Sequence, residues 1–366
     1  MDRNSSNLDL LRSIAVLAVY FSHVSQMLKV ESVGPISVNA FAQMGVLAFF
    51  VHTSLVLMFS MDRLQMPAAA MFKAFYVRRA FRIYPLSIVT VAATVVFSIP
   101  AVAWKEYVPL GRLDLVSNLL ITQNLTFSPE ALGVLWSLPL EVQMYVILPV
   151  LYLAVRRWPY WWLPVGLWVL AVVAAPIQAK TISRLSVLQY GPCFLGGVLC
   201  YVLCKYRRYS FPSWGWPAII LAAFGIRQLG VSAGWVACLL LGAALPHIQE
   251  VQQPWIKTAA AWIAKYSYGI YLSHLIVLWT AFVVLEAWPL WGQILVCVSL
   301  SVALPMAMFH WIEQPMMAVG AQLARRTAPP VPQPWTDDAR HLQPLAQTAV
   351  QFKDKAMSSL TMNAKA

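Results

Sequence analysis

Charged residues are scarce in this chain. Asp, Glu, Lys and Arg make up 11% of its 366 residues, whereas a soluble domain has about 25%. Hydrophobic residues make up 60%, and they form long runs without the alternation of an outer-membrane barrel. This composition excludes an ordinary soluble enzyme. It predicts an all-α, polytopic membrane protein, because helices satisfy their own backbone hydrogen bonds in lipid.

Several signatures of other protein classes are missing. The five cysteines are odd in number and lie in apolar stretches, which argues against a disulfide framework. The sequence has no glycine-rich phosphate loop, no nucleophile elbow and no cluster of metal ligands. We therefore expect no metal site and no permanently bound cofactor. The net charge of +12 comes from residues that flank apolar runs, which is typical of membrane topology rather than of nucleic-acid binding.

The length of the apolar runs predicts about ten transmembrane helices, because about twenty apolar residues cross a bilayer. Residues 1–320 are predicted to form the transmembrane domain, and 321–366, rich in Pro, Gln and Ala, a largely disordered tail. The expected spans are 8–28, 40–61, 86–104, 133–154, 160–177, 187–204, 216–226, 233–247, 264–285 and 290–312. The apolar stretch 115–127 is too short to cross and is expected to be interfacial or re-entrant.

The distribution of basic residues predicts the orientation of these spans. Arginines and lysines concentrate in alternate connectors, at 62–85, 156–157 and 205–208, and at the start of the tail at 325–326. The positive-inside rule places those segments in the cytoplasm. We therefore expect both termini, and the tail, to be cytoplasmic.

The first predicted span carries two ionisable residues, Arg12 and His23. They are eleven positions apart, so they share one helix face and are separated by roughly 16 Å along the axis. Ionisable groups inside a membrane are functional candidates by default. The structural alternatives are an arginine that reaches the lipid headgroups and a neutral histidine bonded to a hydroxyl. Asn7 or Asp9 is expected to cap the helix.

Three arginines, Arg78, Arg79 and Arg82, precede the third predicted span. Guanidinium groups this close repel each other unless an anion lies among them, and they suit phosphate through paired hydrogen bonds. The alternative is an ordinary basic flank that contacts lipid phosphates. Pro85 is predicted to end or kink the helix at this point.

Polar residues also occur in the later spans. Glu141 and Tyr145 are one turn apart on an apolar helix, where a carboxylate must be paired or protonated. Tyr271 and His274 lie on one polar stripe that begins at Ser267, and the alternative for this stripe is hydrogen bonding between helices. His310 and Glu313 lie at the end of the last span, where they are interpreted either as a functional pair or as a polar cap at the membrane interface. His52 and His247 have no evident partner and are interpreted as structural.

Six segments, in this order, resemble motifs of the acyltransferase-3 family of membrane-bound O-acyltransferases. They are LDLLRSIAVLAVYFSH, MGVLAFFVHTSLVL, RRAFRIYPL, WSLPLEVQMY, SYGIYLSH and IEQP, and the likeness runs over about 8–316. The second motif departs from the family, which commonly has Asp before the Phe-Phe pair and Ser-Gly after it. Here Leu47 and Thr53-Ser54 stand in those places. No fused extracytoplasmic hydrolase-like domain is expected.

This resemblance implies a membrane enzyme that moves an acyl group, expected to be acetyl, from cytoplasmic acyl-CoA to a hydroxyl. The implied acceptors are exopolysaccharide, lipopolysaccharide or a lipid-linked glycan, and the implied location is the bacterial inner membrane, in association with a polysaccharide-assembly complex. His23 is implied to be the general base, and Glu141 and Glu313 to orient it or to bind the acceptor. The implied donor-binding residues are Arg12, Arg78, Arg79 and Arg82, and the implied acceptor-binding or orienting residues are Tyr145, Tyr271 and His274.

A different class of function remains open on the sequence alone. The same buried Arg, His and Glu residues suit the pathway of a transporter or flippase for a charged solute or glycolipid. Transporters often have repeated halves with broken helices in matching places. The sequence has no such symmetry, which favours the acyltransferase.

Overall fold

The computed structural model describes residues 5–64, 66–181, 186–206 and 211–326, and nearly all of them are helical. One short hairpin, β1 (Ser32–Val33) and β2 (Ile36–Ser37), pairs Ser32 with Ser37. The helices are α1 (Ser6–Met27), α2 (Val38–Asp62), α3 (Ala68–Val96), α4 (Arg112–Leu119), α5 (Gln123–Thr126), α6 (Ser137–Arg157), α7 (Trp162–Thr181), α8 (Val187–Leu203), α9 (Trp216–Arg227), α10 (Val231–Ala244), α11 (Pro254–Trp279), α12 (Leu290–Met308) and α13 (Gln314–Arg326).

The prediction of an all-α, polytopic membrane protein is confirmed. Six of the described helical segments are long and apolar enough to cross a membrane, and they contain α1, α2, α3, α6, α11 and α12. The helices α7, α8 and α10 supply shorter apolar segments, and α9 has only 12 residues. Each of the ten predicted spans therefore overlaps a helix. The stretch 115–127 forms α4, α5 and their connector rather than a span.

The predicted bounds of the third span were wrong. The helix α3 begins at Ala68 and ends at Val96, with Pro85 inside it, so the arginine triplet lies on a helix and not in a connector. Proline removes one backbone hydrogen bond, but such a break is tolerated in a packed membrane helix. Arg82 is consequently held on a rigid element.

Close packing of α1 against its neighbours fixes the position of its ionisable residues. The helix lies between α2 and α11. Gly45 of α2 allows the first contact, since a Cβ at that position would be 2.6 Å from the carbonyl oxygen of Ala15. Small residues at such crossings allow membrane helices to approach closely. The polar stripe of α11 therefore faces the residues of α1 directly.

The start of α1 is held by one side chain, Glu250, from the connector between α10 and α11. The Glu250 carboxylate accepts hydrogen bonds from the Ser5 hydroxyl at 2.6 Å, the Ser6 hydroxyl at 2.9 Å and the Asn7 backbone N–H at 3.1 Å. Neither Asn7 nor Asp9 caps the helix as predicted, because Ser5 is the N-cap residue. A carboxylate at this position satisfies the free N–H groups and favours the helix dipole.

Asn7 itself is fully buried, with 0% of its surface exposed. Its amide nitrogen donates to the carbonyls of Ile248 and Gln249, at 3.3 and 3.1 Å. Its amide oxygen accepts from the indole N–H of Trp216 at 3.0 Å and the backbone N–H of Val251 at 3.2 Å. The asparagine thus joins α1 to the connector that precedes α11.

The last helical segment is longer than a bilayer requires. The helix α12, the π-helical turn Phe309–Glu313 and α13 run from Leu290 to Arg326 over 37 residues, which is about 55 Å at 1.5 Å per residue, against about 30 Å of hydrocarbon. The α13 portion packs along α3. Residues 321–326 of the predicted tail are therefore helical, and residues 327–366 lie outside the described residues.

Candidate functional site

Arg12 is anchored on α11. Its Nε–H donates to the Ser267 hydroxyl at 2.5 Å, and that hydroxyl in turn donates to the carbonyl of Ala264 at 2.8 Å. Ser267, the first residue of the polar stripe, therefore holds the guanidinium of Arg12 through its Nε–H group. This bond does not use the Nη1 and Nη2 groups of Arg12. Arg12 lines two neighbouring cavities.

The first cavity, which we call the chamber, lies among α1, α2, α3, α6 and α11 and has a volume of about 90 Å³. Its polar lining residues are Arg12, His52, Thr53, Arg79, Arg82, Ser137, Glu141, Tyr145, Ser267, Tyr268 and Tyr271. Three guanidinium groups thus face one carboxylate. Of the four arginines implied to bind the donor, the chamber is lined by Arg12, Arg79 and Arg82 but not by Arg78.

Glu141 is bound on one side of the chamber. The Tyr145 hydroxyl donates to its Oε1 at 2.5 Å, and the Thr53 hydroxyl donates to the same atom at 3.4 Å. The turn-to-turn spacing of Glu141 and Tyr145 predicted this pairing. Thr53 belongs to the part of α2 that departs from the family motif, so this departure places a hydroxyl at the carboxylate.

The second cavity, which we call the vestibule, has a volume of about 350 Å³. It shares Arg12, His52 and Arg82 with the chamber, and the two spaces are therefore adjacent. Arg63 and Lys265 add two cations to its lining, and Asp9 adds one carboxylate. The vestibule lies at the end of the bundle where α1 begins, and it is strongly cationic.

Glu313 lies in the π-helical turn before α13 and forms an ion pair with Arg82. The glutamate is 1% exposed, and Arg82 also contacts the Met317 sulfur at 3.2 Å and lies over the Tyr268 ring. A buried carboxylate beside a guanidinium neutralises it. Glu313 therefore serves Arg82, and the implied role of Glu313 in orienting His23 has no support in its contacts.

His23 forms a pair with a second histidine rather than with a carboxylate. Its Nδ1 lies 3.0 Å from Nε2 of His274, and the two ring centroids are 5.0 Å apart. Nδ1 of His274 lies 2.8 Å from the Tyr271 carbonyl and 3.2 Å from the Ile270 carbonyl. Among the described residues, neither Glu141 nor Glu313 has a hydrogen bond to His23.

These contacts determine which ring nitrogens carry protons when the pair is neutral. A carbonyl oxygen only accepts, so Nδ1 of His274 is protonated and its Nε2 is an acceptor. Nδ1 of His23 must then be the donor in the bond between the rings. Nε2 of His23 is left with its lone pair, which is the form that takes a proton from a hydroxyl.

The chamber and the histidine pair are separated by the Tyr271 ring. Tyr271 lines the chamber, and its ring centroid is 6.1 Å from that of His274. Its hydroxyl bridges to Ser137 at 2.8 Å and to the Val134 carbonyl at 2.9 Å. His23 lines neither the chamber nor the vestibule. Among the described residues, therefore, neither of these two cavities joins the arginines to His23.

Sequence reasoning missed residues that lack a recognisable spacing. His52, interpreted as structural, lines both the chamber and the vestibule, and Arg63 and Lys265 line the vestibule. Their helices meet only in the folded bundle, so no local pattern identifies them. His310 forms hydrogen bonds with the Tyr266 hydroxyl at 3.2 Å and with Gln314 at 3.2 Å, and it lines neither cavity.

Comparison with known proteins places the chain among acyltransferases. A family profile described as an acyltransferase domain matches residues 5–310. Acyltransferase MdmB of Streptomyces mycarofaciens is 24% identical over 309 residues, which cover 73% of this chain and 77% of that protein. No solved structure matches the chain. The resemblance read from the six motifs is confirmed, and the chain belongs to the acyltransferase-3 family as a multi-pass membrane acyltransferase.

Proposed function

We propose that the chain transfers an acyl group, expected to be acetyl, from acyl-CoA to a hydroxyl of an exopolysaccharide, a lipopolysaccharide or a lipid-linked glycan. The observation that carries this proposal is the bond between His23 and His274, because it leaves a base available on Nε2 of His23. A sugar hydroxyl is a weak nucleophile at neutral pH, and a positioned base accelerates its attack by about 10²–10⁴-fold.

The vestibule supports acyl-CoA as the donor. Arg63 and Lys265 line its wall together with Arg12, and such cations suit the phosphates of CoA. Arg82 is already neutralised by Glu313, so it is expected to contribute less to phosphate binding than Arg12. The acyl group would then enter the chamber, where Arg12 and Arg79 are available to the thioester carbonyl.

The reaction requires the thioester and the acceptor to meet at His23. Nε2 of His23 takes the proton of the acceptor hydroxyl as the acceptor oxygen forms a bond to the thioester carbonyl carbon. The carbon–sulfur bond then breaks, and the imidazolium returns the proton to the CoA thiolate. Because Tyr271 separates the chamber from the histidine pair, we expect its ring to move when the donor is bound.

The proposal includes an orientation in the bacterial inner membrane. Basic residues flank the end of the bundle where α1 begins, which the positive-inside rule assigns to the cytoplasm. The vestibule would then open toward cytoplasmic acyl-CoA. The histidine pair lies toward the opposite end, near Trp104 in the connector after α3, where an exported glycan is available.

The test uses the purified full chain in nanodiscs with acetyl-CoA and a lipid-linked glycan. We expect release of the CoA thiol only when the glycan is present, together with a gain of one acetyl mass on the glycan. His23→Ala is expected to lower kcat by about 10²–10⁴-fold. His310→Gln is the matched control, because His310 lies outside both cavities.

Two results would contradict the proposal. The first is an unchanged kcat in a His23→Ala variant that retains the thermal stability of the parent. The second is movement of a labelled glycan across a proteoliposome membrane without any acyl donor, which would favour a transporter.

A further inference from the structure

A third cavity is separate from the chamber and the vestibule. It lies at the end of the bundle opposite to the vestibule. Its walls are the first turns of α2, α8 and α10, the last turns of α7 and α9, and the residue before α6. Its volume is about 500 Å³, within the range of about 300–1,000 Å³ typical of small-molecule sites. The side chains that matter here are Trp136, Gln189, Tyr190, Arg227, Ser232 and Trp235.

Among the described lining residues of this cavity, Arg227 carries the one positive charge. Nη1 of Arg227 donates to the Gly230 carbonyl at 3.0 Å, and its Nη2 donates to Oε1 of Gln43. Gly234 leaves room for the arginine stem, because a Cβ there would be 3.2 Å from Cδ of Arg227 and 2.7 Å from Cδ1 of Leu47. None of the described lining residues is acidic. The cavity therefore favours an anion over a cation.

Several polar side chains line the same cavity without a hydrogen bond from the described part of the chain. The indole N–H groups of Trp136 and Trp235, the hydroxyls of Tyr190 and Ser232 and the amide of Gln189 have no hydrogen-bond partner in the part of the chain that the structure describes. Most of these groups are donors. A ligand rich in hydroxyl and carboxylate oxygens would match them, whereas an alkyl chain would not.

The aromatic rings supply the remaining recognition elements. The rings of Trp136 and Tyr190 lie 5.5 Å apart at an angle of 50°, and Trp235 lies in the same lining. The C–H bonds on the face of a pyranose ring pack favourably on such rings. A phosphate headgroup would use the guanidinium of Arg227 but would leave the aromatic faces uncovered.

From these features we propose that this cavity binds a carboxylate-bearing saccharide, with the carboxylate on Arg227 and the sugar ring against the tryptophans. The site is separate from the proposed reaction centre. Its wall residue Tyr190 contacts Phe50, which lines the chamber, but His23 lies on α1, and α1 contributes no residue to the cavity. The inference therefore does not depend on the transfer reaction.

The experiment measures binding by the full chain in nanodiscs, without an acyl donor. The probes are methyl β-D-glucuronide, methyl β-D-glucoside and methyl phosphate, which separate the acidic sugar, the neutral sugar and the bare anion. We expect the glucuronide to bind about tenfold more tightly than the glucoside, since a charge-assisted hydrogen bond contributes about that much. We also expect it to bind more tightly than methyl phosphate, which has no sugar ring to pack on the tryptophans. Arg227→Gln is expected to remove the advantage of the glucuronide over the glucoside.

Two further variants separate the role of Arg227 from that of charge elsewhere on the protein and from that of the aromatic rings. Arg112→Gln removes an exposed arginine at the start of α4, outside the cavity lining, and is expected to change no affinity. Trp235→Phe is expected to weaken both sugars equally, with little effect on folding. Methyl phosphate binding as tightly as the glucuronide would overturn the inference in favour of a general anion site. Unchanged glucuronide affinity in Arg227→Gln would also overturn it.

Discussion

The histidine pair allows a sharp test of how the proposed base is prepared for reaction. The variant His274→Phe keeps an aromatic ring of similar size but loses the nitrogen that accepts the hydrogen bond from Nδ1–H of His23. A neutral hydrogen bond contributes about 0.5–1.5 kcal/mol, which corresponds to a factor of up to about ten in the population of the reactive tautomer. Loss of ring orientation adds to this, so we expect kcat to fall by roughly ten- to a hundredfold.

His274→Gln provides the matching rescue. Its Oε1 can accept the same hydrogen bond from Nδ1–H of His23, so we expect kcat within a fewfold of the parent chain. The assay is acetyl-CoA turnover with a saturating glycan acceptor, and circular dichroism with thermal unfolding verifies that both variants are folded. A purely structural role for His274 predicts that stability, rather than kcat, separates the two variants.

The double variant isolates the dependence of one histidine on the other. If His274 acts only through His23, then His23→Ala combined with His274→Phe is no slower than His23→Ala alone, because residues that act as a unit are strongly non-additive. Equal turnover in His274→Phe and His274→Gln would refute the tautomer argument. Additive losses in the double variant would refute it as well.

Three further substitutions test the structural and donor-binding roles of other residues. Glu313→Gln removes the buried carboxylate that compensates the mostly buried guanidinium of Arg82, so we expect the free energy of unfolding to fall by up to about 3–5 kcal/mol. The control Glu286→Gln, at an exposed position, changes it by less than about 0.5 kcal/mol, and equal effects of the two variants in thermal unfolding would contradict the ion pair. Asn7→Ala leaves a buried indole N–H and a buried backbone N–H without an acceptor. We expect the free energy of unfolding to fall by roughly 2–6 kcal/mol in the same assay. Lys265→Gln is expected to raise KM for acetyl-CoA about fivefold without changing kcat, because it removes one charge from the vestibule; Lys257→Gln, on the same helix, is the control, and a lower kcat with unchanged KM would exclude this role.

The sequence was sufficient to predict the fold class and most of the membrane helices. Apolar length determines whether a segment crosses a bilayer, and this local property places α1, α2 and α6 within a few residues of the predicted spans. The error at α3 came from Pro85, since a proline that would end a soluble helix lies inside a packed membrane helix. The spacing of Glu141 and Tyr145 was also sufficient, because a pair one turn apart meets without tertiary information.

The partners of the site residues were much harder to predict. Ser267, Tyr271 and His274 could be placed on one stripe from their spacing, but their contact with α1 depends on how α11 packs. The expectation that a carboxylate orients His23 or binds the acceptor came from the family resemblance, whereas the fold brings a histidine to His23 and directs Glu313 to Arg82. Residues without local periodicity, such as His52, became visible only when the cavity walls were assembled.

The fastening of α1 by Glu250 has a consequence for biosynthesis. The helix α1 obtains its terminal hydrogen bonds, the anchor of Arg12 and the contact of His23 from residues more than 240 positions later in the chain. The helices from α1 to α10 therefore lack the partners of Ser5, Arg12 and His23 until the rest of the chain is inserted. A chain that is terminated before Glu250 is expected to remain in the membrane without forming these contacts. The interval before α11 arrives is when the nascent protein is most exposed to quality-control proteolysis.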